Sequence, residues 1–238
     1  MEKLFYDFHI HSCLSPCGDE DMTPNNIVNM AMLNGLNCIA VTDHNCVLNC
    51  EAAINIGKKQ GITVLPGMEL ETSEEVHILC LFPCLEKAKS FSDYVSSNMP
   101  KIPLDKEIFG EEIIMDDEDK IIGNLDTLLN VATFISCDDI SKIIKDYGGV
   151  AIAAHVDKMA NSIISNLGFI TEEMGFSTIE FSKNCPEDFL SSKKYLDGYN
   201  YLYNSDAHYL WDINDNNRFI EVEENTPEAI IEFLSKRK

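Results

Sequence analysis

Short apolar runs alternate along the chain with longer stretches in which apolar residues recur at helical spacing. Seven runs have the length and composition of buried strands: KLFYDF (3–8), CIAV (38–41), TVLP (63–66), VHILCLF (76–82), GVAIAA (149–154), TIEF (178–181) and NYLYN (200–204). Strands that alternate with helices indicate parallel βα units, and we expect an α/β fold. Seven such units in one chain favour a barrel over an open sheet.

Helix signals fill the spaces between these runs. Thr23 and Pro24 are typical of a helix start, and the apolar face that follows ends at Gly35. The stretch CEAAINIGKKQG (50–61) has the same character and also ends at a glycine. Thr226 and Pro227 begin a last helix near the end of the chain.

The regular spacing is interrupted once, after the fourth strand. Residues 86–147 are longer than one crossover helix requires, so we interpret them as an insertion within a single domain of residues 1–238. The pattern predicts a helix over KAKSFSDYVSSNM, a hairpin over EEIIMDDEDKIIG and two further helices, the second capped at Asp138 or Asp139. The insertion is expected near the barrel mouth, either as a lid and substrate wall or as a surface excursion.

Composition limits the class of protein. The hydrophobic fraction of 45% and the charged fraction of 24% are those of a soluble globular protein. No segment approaches the roughly 18 consecutive apolar residues of a membrane span, and the N-terminus lacks a secretory signal. We therefore expect a cytoplasmic protein with no membrane partner.

The chain is strongly acidic. A net charge of −22 opposes binding to duplex nucleic acid, and Arg218 and Arg237 are the only arginines. The acidity either serves solubility or reflects carboxylates that bind cations.

The nine cysteines leave two readings open. Three pairs have three residues between their members: Cys13 and Cys17, Cys46 and Cys50, and Cys80 and Cys84. We expect reduced, mostly buried thiols, with a thiolate metal site as the alternative.

Polar residues fall at predicted strand ends. All six histidines lie in a predicted strand or directly after one: His9, His11, His44, His77, His155 and His208. Three carboxylates share this placement: Asp43, Glu69 and Asp206. A single residue of this kind is usually a satisfied polar or capping group, but strand ends converge at one mouth of a parallel barrel. The joint pattern therefore predicts two or three divalent ions, with Zn, Mn or Fe favoured by the mixed nitrogen and oxygen donors.

The sequence resembles the polymerase and histidinol phosphatase (PHP) family of metal-dependent phosphoesterases. The matching blocks are DFHIHS, TDHN, GMELE, VHIL, AAHVDK and NSDAH, which occur in the family's order along nearly the whole chain. The resemblance implies a distorted (β/α)7 barrel of PHP type, with the insertion after the fourth strand, and a trinuclear metal site at its mouth.

Residue roles follow from the same resemblance. His9, His11, Glu69 and Asp206 would bind the first ion, and Glu69 would bridge to a second ion completed by His77 and His155. The third ion would take His44, His208 and an acid of the loop LSPCGDEDMTP, either Asp19 or its neighbour Asp21. Asp43 would orient a ligand imidazole from behind, and Asp7 either does the same or is structural. Lys158 and Lys183 are candidates for binding substrate phosphate, although both could be solvated surface lysines.

The expected activity is hydrolysis of a small phosphomonoester by a hydroxide that bridges two metals, with Glu69, Asp206 and His208 as catalytic residues. One alternative is a phosphodiesterase or 5′-exonuclease acting on short oligonucleotides or nucleoside bisphosphates. A second alternative is a non-catalytic metal-binding PHP module. The oligomeric state stays open.

Overall fold

The computed structural model describes residues 1–237, which form an α/β fold around one curled sheet. Its strands are β1 (Glu2–Asp7), β2 (Cys38–Val41), β3 (Thr63–Glu71), β4 (His77–Leu81), β5 (Glu112–Met115), β6 (Ile121–Leu125), β7 (Val150–Ala153), β8 (Thr178–Ser182), β9 (Asn200–Asn204) and β10 (Phe219–Val222). Its helices are α1 (Pro24–Leu33), α2 (Cys50–Gln60), α3 (Leu85–Ser97), α4 (Lys106–Phe109), α5 (Cys137–Asp146), α6 (Ile163–Leu167), α7 (Glu187–Ser192) and α8 (Pro227–Leu234).

The main sheet has eight strands in the order β10-β1-β2-β3-β4-β7-β8-β9. It curls until the segments that follow β1 and β9 meet, where Ile10 and Ala207 form a parallel bridge. The backbone N–H of His11 donates to the Ala207 carbonyl at 2.9 Å, and the Ala207 N–H donates to the His9 carbonyl at 3.2 Å. All seven predicted runs are strands of this sheet, and the predicted α/β barrel class is confirmed.

Two features of the sheet differ from a regular parallel barrel. β4 runs antiparallel to both of its neighbours, β3 and β7. The physical reason is the connection between β3 and β4, residues 72–76, which is far shorter than the dozen or so residues of a parallel crossover. In addition, β10 pairs antiparallel with β1 and extends the edge of the sheet. The sequence analysis did not predict β10.

Strand alternation places two apolar layers on opposite sides of the sheet. In β2, Cys38 and Ala40 face the barrel interior, whereas Ile39 and Val41 pack in the outer layer with helices α1, α2, α3 and α5. Helix α8 contributes Ile230, Ile231 and Leu234 to the interior cluster, so it closes one end of the barrel. The opposite end, where the parallel strands finish, stays free for polar side chains.

Helix α5 begins differently from the prediction. Its N-cap is Ser136, whose Oγ accepts a hydrogen bond from the Asp138 N–H at 3.2 Å, so caps at Asp138 or Asp139 are wrong. The Glu74 carboxylate accepts from Ser136 Oγ and from the Cys137 N–H, both at 2.9 Å. The helix predicted before it is absent, since residues 126–135 are turns and extended chain.

The predicted hairpin is present as β5 and β6, and it packs against the loop that follows β1. The Ile113 N–H donates to the Cys13 carbonyl at 3.0 Å. The side chain of Asn49 donates to the Ile113 carbonyl at 3.0 Å and accepts from the Met115 N–H at 2.9 Å, both on β5. The carboxylate of Glu112 is fully buried beneath it. Its Oε1 accepts from the Leu129 N–H at 2.8 Å, while its Oε2 has no hydrogen-bond partner.

We expect Glu112→Gln to stabilise the protein above pH 7. Burial raises the pKa of Glu112 to about 7, above the 4.5 of the exposed group, so the folded state binds this proton more tightly than the unfolded chain. Its contribution to stability is greatest below pH 4.5 and falls as the pH rises through 7. Glutamine removes that loss. We expect the free energy of unfolding, measured by urea denaturation, to rise by about 1–3 kcal/mol at pH 8 and to change little at pH 5.

Glu111→Gln, at the neighbouring exposed position, is the control. An equal effect of the two substitutions at pH 8 would contradict the argument.

The cysteines form no disulfide in the described residues, and six of them are buried: Cys13, Cys38, Cys46, Cys50, Cys80 and Cys137. Within residues 1–237, the helices are all too short or too polar to cross a lipid bilayer.

Candidate metal centre

All six histidines meet at the end of the barrel where the parallel strands finish. Their rings follow one another around the mouth, with centroid separations between 4.3 Å for His11 and His208 and 5.8 Å for His9 and His155. The reversed direction of β4 explains the position of His77. It is the first residue of its strand, and it therefore lies beside the last residues of the neighbouring strands.

Glu69 lies at the centre of this ring and is 1% exposed. Its Oε1 is 2.8 Å from His77 Nδ1 and 3.1 Å from both His9 Nε2 and His155 Nε2. Its Oε2 is 3.3 Å from His11 Nε2 and 3.2 Å from His44 Nδ1. One carboxylate therefore contacts five imidazoles.

Asp206 is the second carboxylate of the centre. Its Oδ1 is 3.2 Å from His9 Nε2 and 3.3 Å from His11 Nε2, and Lys158 Nζ forms an ion pair with its Oδ2. The backbone φ of Asp206 is 53° and that of His155 is 29°, in the left-handed region that few residues other than glycine adopt. Such strain concentrates where a side chain must be aimed at a particular point.

The donor atoms fall into three groups that could each bind a metal ion. The groups are His9, His11, Glu69 and Asp206; His44, Glu69 and His77; and His11, Cys17, His44 and His208. The first group is the one expected for the first ion. His155, expected at the second ion, contacts the same Glu69 oxygen as His77 but lies outside these groups. The roles of these residues as ligands remain predictions.

Hydrogen bonds behind the rings of His9 and His11 show that the centre fits metal ions. His9 Nδ1 donates to the Glu180 carboxylate, 3.0 Å from Oε1 and 3.1 Å from Oε2, because a carboxylate can only accept. His11 Nδ1 lies 3.0 Å from Ser15 Oγ, which donates to Asp43 at 2.7 Å. The Nε2 atoms of the two rings point inward, 3.2 Å apart and without exposure to water. Without a metal ion the neighbouring carboxylates favour protonation of both rings, and a bound cation would replace those protons at the two nitrogens.

Burial keeps two other rings neutral. It lowers the pKa of His44 well below its usual value and that of His208 to about 4. Both imidazoles can therefore offer a lone pair at pH 7, as a ligand must.

The carboxylates are ionised. Burial opposes the charge of Glu69, but the neighbouring His77 and His9 more than offset burial and hold its pKa well below the usual range.

The imidazole of His11 is protonated at pH 7 when no metal is bound. Burial opposes its positive charge, but Asp206 and Glu69 raise its pKa to about 9. The centre is negative enough to bind protons tightly, and metal ions would replace those protons.

In the loop after His11, the Asp19 side chain does not lie with the donor atoms, although its backbone N–H donates to the His208 carbonyl at 2.9 Å. Its assignment as a ligand stays a prediction. Asp19 Oδ1 accepts from the Asp21 N–H at 2.9 Å in a local turn, and neither acid belongs to a donor group in residues 1–237. Cys17 lies at this position instead, with its Sγ within 4.8 Å of donor atoms of His11, His44 and His208. Gly18 permits the turn, because a Cβ there would overlap the Ser12 carbonyl.

We expect Cys17→Ser to remove one bound ion. Thiolates favour soft ions such as Zn²⁺, and a cobalt-substituted protein would show a thiolate-to-cobalt charge-transfer band in the near ultraviolet. Cys17→Ser should abolish that band, whereas Asp19→Asn should retain it. Cys84→Ser, at another exposed cysteine, is the matched control. Loss of the ion in Asp19→Asn, with the band intact in Cys17→Ser, would restore the original assignment.

Sequence reasoning missed three residues of the centre: Ser15, Cys17 and Glu180. Glu180 had a signal, because it is a carboxylate within the apolar run TIEF and is 1% exposed. Glu71, two positions after Glu69, belongs to no donor group, but it lies in β3 and is only 8% exposed although an acid at this place is typical of a surface loop.

Asp43 and Asp7 differ in their contacts. Asp43 reaches His11 through Ser15, in agreement with an orienting role, and also accepts from the Ser12 N–H at 2.7 Å. Asp7 accepts from the N–H groups of Ser205 at 3.1 Å and Asn214 at 3.0 Å, which fixes the segment after β9. The His9 N–H also donates to Asp7 Oδ1 at 3.4 Å, and these backbone contacts agree with the structural alternative.

The chain matches known proteins over most of its length. The sequence model of the PHP domain family covers residues 7–202. An uncharacterised protein of Bacillus subtilis, YqxK, is 25% identical over 241 aligned residues, which include 88% of this chain and 56% of that protein. The chain thus spans little more than half of this relative.

Solved structures show the same fold. The lesion-specific endonuclease PfuEndoQ of Pyrococcus furiosus matches with a TM-score of 0.68 and 19% identity, over 99% of this chain and 58% of that one. Endonuclease Q has also been solved with a 27-mer duplex that carries an abasic lesion at the active site. A metal-dependent phosphoesterase structure from Bifidobacterium adolescentis matches with a TM-score of 0.59 and 19% identity, over 96% and 94% of the two chains. From the family match and the clustered histidines and carboxylates, the chain belongs to the PHP family of metal-dependent hydrolases.

Proposed function

We propose that the protein hydrolyses a small phosphomonoester at a centre of two or three divalent ions. The observation that carries the proposal is the position of Glu69, one buried carboxylate in contact with five imidazoles at the barrel mouth. A carboxylate with both oxygens surrounded in this way suits a ligand that bridges ions. Zn, Mn and Fe remain the favoured metals, and Cys17 favours Zn or Fe at the third group.

In the proposed hydrolysis, side chains of the protein position the ions and bind the substrate. When bound, the ions would activate the attacking water and neutralise charge on the phosphoryl oxygens. Glu69, Asp206 and His208 hold the inner surface of the centre, and Glu180 and Asp43 fix the rings of His9 and His11. The Lys158 ammonium contacts Asp206 but remains 40% exposed at the mouth, so its flexible stem can turn toward an incoming phosphate. We propose the same role for Lys183 at the rim.

The insertion, residues 86–147, would shape the substrate wall. Its hairpin contacts the loop that carries Ser15 and Cys17 through the bond of the Ile113 N–H to the Cys13 carbonyl, and it contacts the start of α2 through Asn49. Substrate specificity would then depend on a segment that shares no residue with the donor groups.

A phosphodiesterase or nuclease is the second candidate. The fold relatives include a lesion-specific endonuclease and its complex with duplex DNA. The net charge of −22 favours a substrate with few phosphates, and we retain the expectation that this chain does not bind duplex nucleic acid by itself. The complete donor set disfavours the third candidate, a non-catalytic module.

The test is a phosphate-release screen with small monoesters, dinucleotides and duplex DNA after loading with Zn, Mn or Fe. Elemental analysis of the purified protein identifies the native ions. Release of phosphate from monoesters alone supports the proposal. Cleavage of dinucleotides or duplex without monoesterase activity would replace it with the second candidate, and no turnover of any substrate by protein with two or more bound ions would favour the third.

A further inference from the structure

A cavity of about 510 Å³ lies between helix α1 and the segments that follow β8 and β9, and apart from Lys183 the activity above uses none of its walls. Its lining includes Lys183, Asn184, Trp211, Asn214 and Arg218. Its volume lies within the range of pockets that bind small organic ligands. The cavity therefore has room for a substrate group larger than phosphate.

The segments that form this cavity also form the centre. Trp211 follows the donor residue His208 by three positions. The Asn214 N–H donates to Asp7, two residues before His9, and Lys183 directly follows β8, which carries Glu180. A ligand in the cavity would thus lie beside the mouth rather than on a remote face.

Trp211 exposes most of its indole ring to solvent. It is 76% exposed and stacks on Tyr209, itself 41% exposed, with ring centroids 4.9 Å apart and an angle of 13° between the planes. Tyr209 supports one face of the indole and fixes its orientation, which leaves the rest of the ring system open. A flat, preoriented aromatic face of this kind binds nucleobases by stacking.

The cavity also combines two cationic side chains with one acid, Asp215, in an otherwise strongly acidic protein. It contains Arg218, one of the two arginines in the chain, whose guanidinium lies 3.7 Å from the centre of the Tyr203 ring. Lys183 is the second cation, and its Nζ donates to the Asp212 carbonyl at 2.7 Å and forms an ion pair with the Asp212 carboxylate at 3.4 Å. Side-chain amides of Asn184 and Asn217 supply donors and acceptors for the edge of a base.

We infer that this cavity binds the nucleobase of a nucleotide whose phosphate lies at the metal centre. The inference rests on the proposed function and narrows its substrate class to nucleotides. The base belongs either to a free mononucleotide or to the end of a short single strand.

Trp211 is the only tryptophan, so its fluorescence reports on the cavity directly. We expect saturable quenching by adenosine 5′-monophosphate and none by inorganic phosphate or glycerol 3-phosphate. The dinucleotide pApA distinguishes the two sources, because half-maximal quenching at a much lower concentration of pApA than of the mononucleotide would identify a strand end. Quenching by neither nucleotide would overturn the inference.

Kinetics give an independent measurement. Trp211→Ala should raise KM for adenosine 5′-monophosphate about tenfold and leave turnover of glycerol 3-phosphate within about twofold, whereas Trp211→Phe should retain most of the affinity. Phe169→Ala, at an exposed aromatic outside the cavity, is the matched control. Equal kinetics of Trp211→Ala and wild type on the nucleotide would overturn the inference and leave the phosphomonoesterase proposal intact. If no monoester is hydrolysed, that proposal fails, and the fluorescence titration still decides base binding.

Discussion

Replacement of Glu69 with glutamine is expected to abolish turnover while the protein remains folded. The amide presents one oxygen instead of two and carries no charge, so it cannot serve both Oε1, near His9, His77 and His155, and Oε2, near His11 and His44. Partners that only orient a ligand typically contribute 10–100-fold, and a bridging ligand should contribute more. We therefore expect a loss of more than about 100-fold in kcat/KM and a lower metal content by elemental analysis.

Glu71→Gln is the matched control for this variant. Glu71 lies two residues further along the same strand and is also buried, but it belongs to none of the donor groups. Its substitution should leave metal content and turnover near wild type. Circular dichroism establishes that both variants are folded. Wild-type activity in a folded Glu69→Gln protein would remove the bridging role.

Replacement of Glu180 with glutamine is expected to weaken metal binding about 10–100-fold. Its carboxylate accepts from His9 Nδ1 and also from the His155 N–H at 3.0 Å and from Asn204 Nδ2 at 2.7 Å. A neutral amide can present its own N–H to the ring, which favours the opposite tautomer of His9 and turns a protonated Nε2 toward the centre. The measurement is the dissociation constant for Zn²⁺ by competition with a chelating dye.

Because Glu180 acts through His9, a second measurement separates positioning from a general loss of structure. His9→Ala combined with Glu180→Gln should bind Zn²⁺ no more weakly than His9→Ala alone. Glu187→Gln, an exposed acid at the start of α7, is the control for the charge change. Additive losses in the double variant would show that Glu180 does not act on the metal through His9.

The sequence predicts the positions of strands and histidines well because both depend on local patterns. His9 and His11 point to one side because strand residues alternate in period two, and the convergence of strand ends follows from the fold class. The direction of β4 was also accessible, since the short connection of residues 72–76 excludes a parallel crossover. The count of seven alternating units does not by itself reveal the direction of each strand.

Loop residues were less accessible to sequence reasoning. Asp19 and Cys17 are two positions apart in an irregular turn around Gly18, and no periodic pattern predicts which of their side chains points toward the centre. Glu180 contacts His9 across 171 residues of sequence, a pairing that no local pattern reveals. The spacing of the sequence motifs predicts how many donor residues the centre has. It does not predict which of two neighbouring residues in an irregular loop is the donor.

The parallel bridge between Ile10 and Ala207 is the seam at which the barrel closes, and it affects the stability of the metal-free protein. His9 and His11 lie on one side of this seam, and Asp206 lies on the other, so an ion bound by all three would cross-link the first and last parts of the barrel. Barrel closure and cation uptake would then be a single linked equilibrium, in which free cation concentration raises the unfolding temperature by mass action. Chelators would accordingly loosen the ends of the polypeptide before they disturb the helices packed around its middle.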